Sequence, residues 1–137
     1  MVLDSNVLVA GFRSRRGASF EVLRLLEQGR FEVAVSVPLV LEYEATLLYH
    51  ATELALPPRM ATQLVDYLCA IGHRQDVYYL WRPTLADPRD EFVLELAVAS
   101  RAEAIVTHNV RDFGGADRFG IRVLTPRAFV QRLGDQQ

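Results

Sequence analysis

Short β-type runs alternate with helix-periodic segments along this chain, and that alternation narrows its fold more than any other feature. VLDSNVLVA opens with a short strand ending at Asp4. SFEVLRLLEQG places apolar residues at Phe20, Val22, Leu23, Leu25 and Leu26, which is helical spacing, with Gly29 as a stop signal. FEVAVS reads as a strand. VPLVLEYEATLLYH reads as a helix, with Ser36 as its cap and Pro38 in its first turn. PPRMATQLVDYLCAIG is a helix closed by Gly72, DVYYLW a strand-like run, and DPRDEFVLELAVASRA a further helix. AIVTH and GIRVLT are strands, and PRAFVQRL is the last helix. Such alternation predicts an α/β fold, a mostly parallel central sheet with helices on both faces. In sheets of this kind, sites form beyond the carboxyl ends of the strands.

The 137 residues, 50% of them apolar, fit one domain over residues 1–137 with a single core. There is no internal repeat, low-complexity tract or linker. No apolar run reaches the roughly 18 residues that span a bilayer, and the start lacks the basic and apolar regions of a secretory signal. Cys69 is alone, which excludes an intramolecular disulfide framework and a cysteine metal cage. A cytoplasmic protein is the expectation.

The net charge of -2 argues against a grip on nucleic acid through bulk positive charge. All 15 basic residues are arginine, which suits local forked contacts to phosphate and equally suits a coding bias. The absence of lysine excludes P-loop and Schiff-base chemistry and the lysine of phospho-receiver domains. His50, His73 and His108 are scattered, with no HExxH; G-x-S-x-G, GxGxxG and Walker A motifs are absent too.

Asp4 closes the first strand, Glu42 lies about one and a half turns into the helix after the second, Asp87 and Asp90 start the helix before the fourth strand, and Asn109 and Asp112 follow that strand, so these polar residues are expected to gather at one edge of the sheet. Carboxylates gathered at one sheet edge repel one another unless something neutralises them. Mg²⁺ does so with oxygen ligands while keeping several of its waters, and facing a phosphate this is nuclease chemistry. Each acid also has a structural reading. Asp4 can cap a helix beginning at Val7. Glu42 can be a solvated helix charge, although Leu39, Leu41 and Tyr43 beside it are apolar; Glu44 belongs to another face and is expected to be exposed. Asp87 before Pro88 reads as an N-cap, and Asp90, at the third helical position, complements the helix dipole. Asp112 can cap a turn before Gly114-Gly115. His108 reads as a loop residue, Cys69 in YLCAI as core, and Trp81 with Tyr78-Tyr79 as packing at a strand edge. Arg13, Arg15 and Arg16 in GFRSRRGAS read as a basic loop, either simply solvated or facing a phosphodiester backbone beside the acids.

In order and spacing these elements resemble the PIN-domain family, and within it the VapC-like toxin components of bacterial toxin–antitoxin systems, nearly end to end. The matching motifs are VLDSNVLVA with Asp4, SVPLVLE with Glu42, DPRDEFVLELAVA with Asp90, VTHNVRDF, and the tail GIRVLTPRAFVQRL. The resemblance implies a three-layer α/β/α sandwich and a Mg²⁺- or Mn²⁺-dependent endoribonuclease. It implies Asp4, Glu42 and Asp90 as metal-binding acids and Asp112 as a further one. Asn109 stands where many members have aspartate, and the family usually has a few more residues before Asp4. Asn6, Asn109, Arg13, Arg15 and Arg16 are the candidate substrate contacts, and single-stranded or looped RNA suits a narrow acidic cleft. The resemblance also implies an antitoxin protein that presents an arginine or lysine to the acids. Homodimers are common in the family, and PPRMATQLVDYL is a candidate surface for one. The alternative is a catalytically silent PIN-like module that binds RNA or protein, which Asn109 favours. Structure-specific DNA cleavage would use the same site.

Overall fold

The computed structural model describes residues 1–77 and 88–135. In chain order they form β1 (Val2–Leu3), α1 (Ser5–Arg13), α2 (Ala18–Glu27), β2 (Ala34–Val35), α3 (Val37–Tyr49), α4 (Pro58–Ile71), β3 (His73–Arg74), α5 (Pro88–Ser100) and β4 (Ala104–Val106). Two 3₁₀ turns, Val110–Phe113 and Ala116–Phe119, lead to β5 (Arg122–Leu124) and α6 (Pro126–Asp135). This is the expected α/β architecture, with a parallel sheet and helical layers.

β1, β4 and β5 pair in that order, and β2 pairs with β3. The Ala34 N–H donates to the Met1 carbonyl at 2.8 Å and sets the second pair beside β1. The strands therefore run β3-β2-β1-β4-β5, and the order reverses between β1 and β4. A crevice opens outside the strand ends at such a reversal. Val2 lies opposite Ile105 and Leu3 opposite Val106. All of β1 and β4 is buried, as expected of central parallel strands covered on both faces.

Local signals explain three of the helix ends. Ser36 Oγ accepts the Leu39 N–H at 3.4 Å and caps α3, with Pro38 in the first turn. Gly29, at φ +73°, ends α2 in the left-handed conformation that suits glycine. Gly72 closes α4 for a different reason. Its φ is -76°, but a Cβ there would lie 2.6 Å from the Leu68 carbonyl oxygen. Cys69 packs against the core as expected.

Some expectations need correction. The apolar run after Asp4 continues as a helix, α1, which starts at Ser5 rather than Val7 and carries through Arg13. Arg13 is thus helical, and the basic loop shrinks to residues 14–17. A short strand at His73–Arg74, which the sequence pattern does not mark, pairs with Ala34 and Val35. Asp76 and Val77 are outside any strand; Tyr78-Tyr79, Trp81 and Asp87 lie outside the described residues. Glu44 is half-buried rather than exposed.

Candidate active site

The β1–β4 register puts Asp4 and Thr107 next to each other, one step beyond the Leu3–Val106 pair. The Asp4 N–H donates to the Val106 carbonyl at 2.9 Å. Asp4 occupies the N-cap position of α1, yet its side chain makes no cap hydrogen bond. Instead Thr107 Oγ1 donates to Asp4 Oδ2 at 2.7 Å. Asn6 Nδ2 lies 3.3 Å from both Asp4 Oδ2 and Thr107 Oγ1, and Asn6 Oδ1 accepts the His108 N–H at 3.2 Å. The Asn109 N–H donates to Thr107 Oγ1 at 3.0 Å. Thr107 is fully buried and Asp4 is 9% exposed, so one carboxylate oxygen is held by a network that water does not dilute.

Asp4, Glu42, Asp90 and Asp112 all line one cavity of about 560 Å³. They come from four separate places: the end of β1, the middle of α3, the third residue of α5, and the 3₁₀ turn after β4. Asn6, Asn109 and Arg13 line the same cavity. Arg15 and Arg16 are exposed in the turn after α1 and are not among its lining residues. Arg13 bonds Glu53 through Nη2 at 2.6 Å.

Burial raises the Asp4 carboxyl above its ordinary value; bonds from Thr107 and the Ser5 backbone oppose this, and the charges of Glu42 and Asp112 add to it. Acids on three elements therefore share one field. Burial, with Asp4 nearby, also pushes the Tyr43 phenol up, so Tyr43 remains a donor. Its hydroxyl donates to the Leu3 carbonyl and ties α3, beside Glu42, to the end of β1. Thr46 Oγ1 donates to Glu42 Oε1 at 3.3 Å. His108 Nε2 lies 2.6 Å from Oγ of the buried Ser19, and burial holds its imidazole below the usual histidine value. The loop reading of His108 thus holds, with an anchor on α2.

Thr107, Tyr43, Thr46, His50 and Ser19 are site residues that sequence reasoning missed. Glu42, Thr46 and His50 recur every four residues, a single helical face, so that stripe was readable. Thr107 ends the apolar run AIV and became identifiable as a partner of Asp4 only through the register.

Among the described residues, no group of three His, Cys, Asp or Glu side chains is arranged to hold a metal ion by itself. The acids ring the cavity rather than forming a closed cage. Four carboxylates around an open cavity, with no cysteine among its described lining residues, fit a hydrated hard dication such as Mg²⁺, which needs only one or two of them. They do not fit a thiolate-seeking metal.

The family model for the PIN domain matches residues 1–111. The matched stretch contains Asp4, Glu42 and Asp90 and ends one residue before Asp112. No curated protein matches the chain significantly.

Proposed function

The chain belongs to the PIN domain family, and from that premise we propose that it is a metal-dependent endoribonuclease, the toxin of a VapC-like toxin–antitoxin pair, acting as a single domain over residues 1–137. PIN domains are generally nucleases, and the fold is typically metal-dependent. The observation that carries the reading is the convergence of Asp4, Glu42, Asp90 and Asp112 on one cavity from four separate elements.

These four acids would hold Mg²⁺ or Mn²⁺. When bound, the ion supplies charge neutralisation at the phosphate and makes water a better nucleophile. The chain's own residues supply the rest. Thr107 fixes one oxygen of Asp4 and so aims the other. Glu42 orients the attacking water or takes its proton. Asn109 offers amide donors to a phosphate oxygen, and Asn6, engaged with Asp4, Thr107 and His108, keeps the β1 and β4 ends together. Arg13 contacts the RNA backbone.

The partners of this reading are RNA, an antitoxin that presents a cationic side chain to the acids, and a second copy of the chain. Exposed Met60 and Tyr67 on α4 support the PPRMATQLVDYL surface for the homodimer. Among the described residues no helix is long and apolar enough to cross a membrane, which fits the proposed cytoplasmic setting.

The test is incubation of the purified protein with a mixed RNA pool in Mg²⁺, Mn²⁺ or EDTA, beside Asp4→Asn. Metal-dependent cleavage lost in the variant supports the assignment. Equal cleavage by both proteins removes Asp4 from the chemistry. The second reading, a silent RNA- or protein-binding PIN module, is favoured by Asn109, the neutral residue beside the acids; metal binding without cleavage of any RNA would support it.

A further inference from the structure

The cleft has two chemically different ends. Glu42, Thr46 and His50 form a stripe along α3 and its C-cap, and all three line the cavity. Asn6, Ala10 and Arg13 form a matching stripe along α1, which packs against α3. At 1.5 Å per residue His50 stands about 12 Å along the helix from Glu42. The end away from the acids is organised around Glu53. Arg13 Nη2 lies 2.6 Å from Glu53 Oε1, and His50 Nδ1 lies 3.0 Å from Glu53 Oε2. Backbone bonds from Leu54 N–H to the His50 carbonyl and from Leu56 N–H to the Ala51 carbonyl, both 2.9 Å, brace the turn that presents Glu53.

Arg13 is the one arginine among the described residues that line the cavity, against four carboxylates. A polyanion entering such a cleft needs a cation away from the acids as well as one among them. The side chains of Arg13 and Glu53 are 53% and 55% exposed. An ion pair that open to solvent contributes little, so breaking it costs little. A phosphate offers the same guanidinium a forked, charge-assisted contact.

We propose that this end of the cleft is a docking subsite for a second phosphate of single-stranded RNA, a few nucleotides from the one cleaved. Arg13 is its fork, His50 stands beside it as a second donor, and Glu53 is an internal placeholder that the phosphate displaces. The subsite rests on the nuclease reading. It makes Glu53 a brake on RNA binding that acts only through Arg13.

The experiment is fluorescence anisotropy of a labelled single-stranded RNA in EDTA, with the wild-type chain, Arg13→Gln, Glu53→Gln and the double variant, across a salt series. Arg13→Gln should bind more weakly and lower the slope of log K against log salt by about 0.7, the value of one phosphate contact on a single strand. Glu53→Gln should bind about two- to fivefold more tightly at low salt, the range of an exposed ion pair. The double variant should match Arg13→Gln. Wild-type binding with no change in Arg13→Gln, or no tightening in Glu53→Gln, overturns the subsite and leaves the nuclease reading standing. Equal tightening by Glu53→Gln with and without Arg13 reduces Glu53 to a general repulsion and overturns the placeholder. No RNA binding by the wild-type chain at any salt, either in EDTA or with Ca²⁺ supplied to neutralise the acids, overturns the nuclease reading and the subsite with it.

Discussion

Thr107 Oγ1 donates a 2.7 Å hydrogen bond to Asp4 Oδ2, joining residues 103 positions apart at the ends of two adjacent parallel strands. Asp4 therefore behaves neither as a helix cap nor as a free carboxylate. One of its oxygens is already engaged before any ligand arrives.

Removing that donor should be costly. Thr107→Val keeps the shape but deletes the buried hydroxyl, leaving Asp4 Oδ2 with only the longer Asn6 contact and the Asn109 N–H without its acceptor. Denaturant unfolding should show a loss of about 1–3 kcal/mol. Cleavage of RNA should fall as well, and Thr107→Ser, which restores the hydroxyl, should recover most of both.

The raised Asp4 carboxyl makes stability pH-dependent in a defined direction. A folded-state value above the ordinary 3.8 means that the native state holds this proton more tightly than the unfolded chain does. Its contribution to stability is greatest below pH 3.8 and is lost as pH rises through the folded value. In EDTA, Asp4→Asn should therefore melt at a higher temperature than the wild type near pH 7, with the gap closing as the pH is lowered. A melting series across pH checks this, and a variant less stable than wild type at neutral pH contradicts it.

Tyr43→Phe removes the one bond from α3 to the Leu3 carbonyl while preserving the packing of a ring that is 2% exposed. The carbonyl is left buried, which should cost about 1–3 kcal/mol in denaturant unfolding. Glu42, one residue away, should lose its fixed placement relative to Asp4. The expected kinetic mark is a fall in kcat exceeding any change in KM, read in single-turnover and steady-state assays.

Gly72→Ala tests packing away from the site. Its new Cβ would meet the Leu68 carbonyl oxygen at 2.6 Å and the Val35 methyls at 3.2 and 3.3 Å. Relief requires moving α4 or β2 backbone, so a loss of about 1–3 kcal/mol is expected. RNA binding by the folded fraction should be unchanged, since none of these atoms lines the cleft.

Legibility of the site followed the range of the forces involved. Glu42 and Asp90 were readable because each sits at a fixed place on a helix whose start is marked locally, by Ser36 and Pro88. Asp112 was readable as the acid in a short turn after an apolar strand. Arg15 and Arg16 were read with Arg13 as one basic loop, but α1 extends through Arg13, so only Arg13 is carried on the helix wall of the cleft. His73–Arg74 carries almost no strand signal of its own. It is a strand because Ala34 and Val35 offer it a hydrogen-bonding edge.

By itself, the sequence determined the alternation of elements, the parallel α/β class, the helix stops at Gly29 and Gly72, and which acids stand at strand and helix ends. Periodicity, caps and turn residues act over a few neighbours, so a linear reading captures them. Tertiary structure alone decided what those acids touch. Asp4 had local cap donors and a distant hydroxyl as competing partners, and the choice of Thr107 was made by strand register. Arg13 found Glu53 and Tyr43 found Leu3 in the same way, through contacts 40 residues apart. Side-chain hydrogen bonds and ion pairs act only at contact distance, and contact between distant residues exists only after the sheet has set which ends lie together.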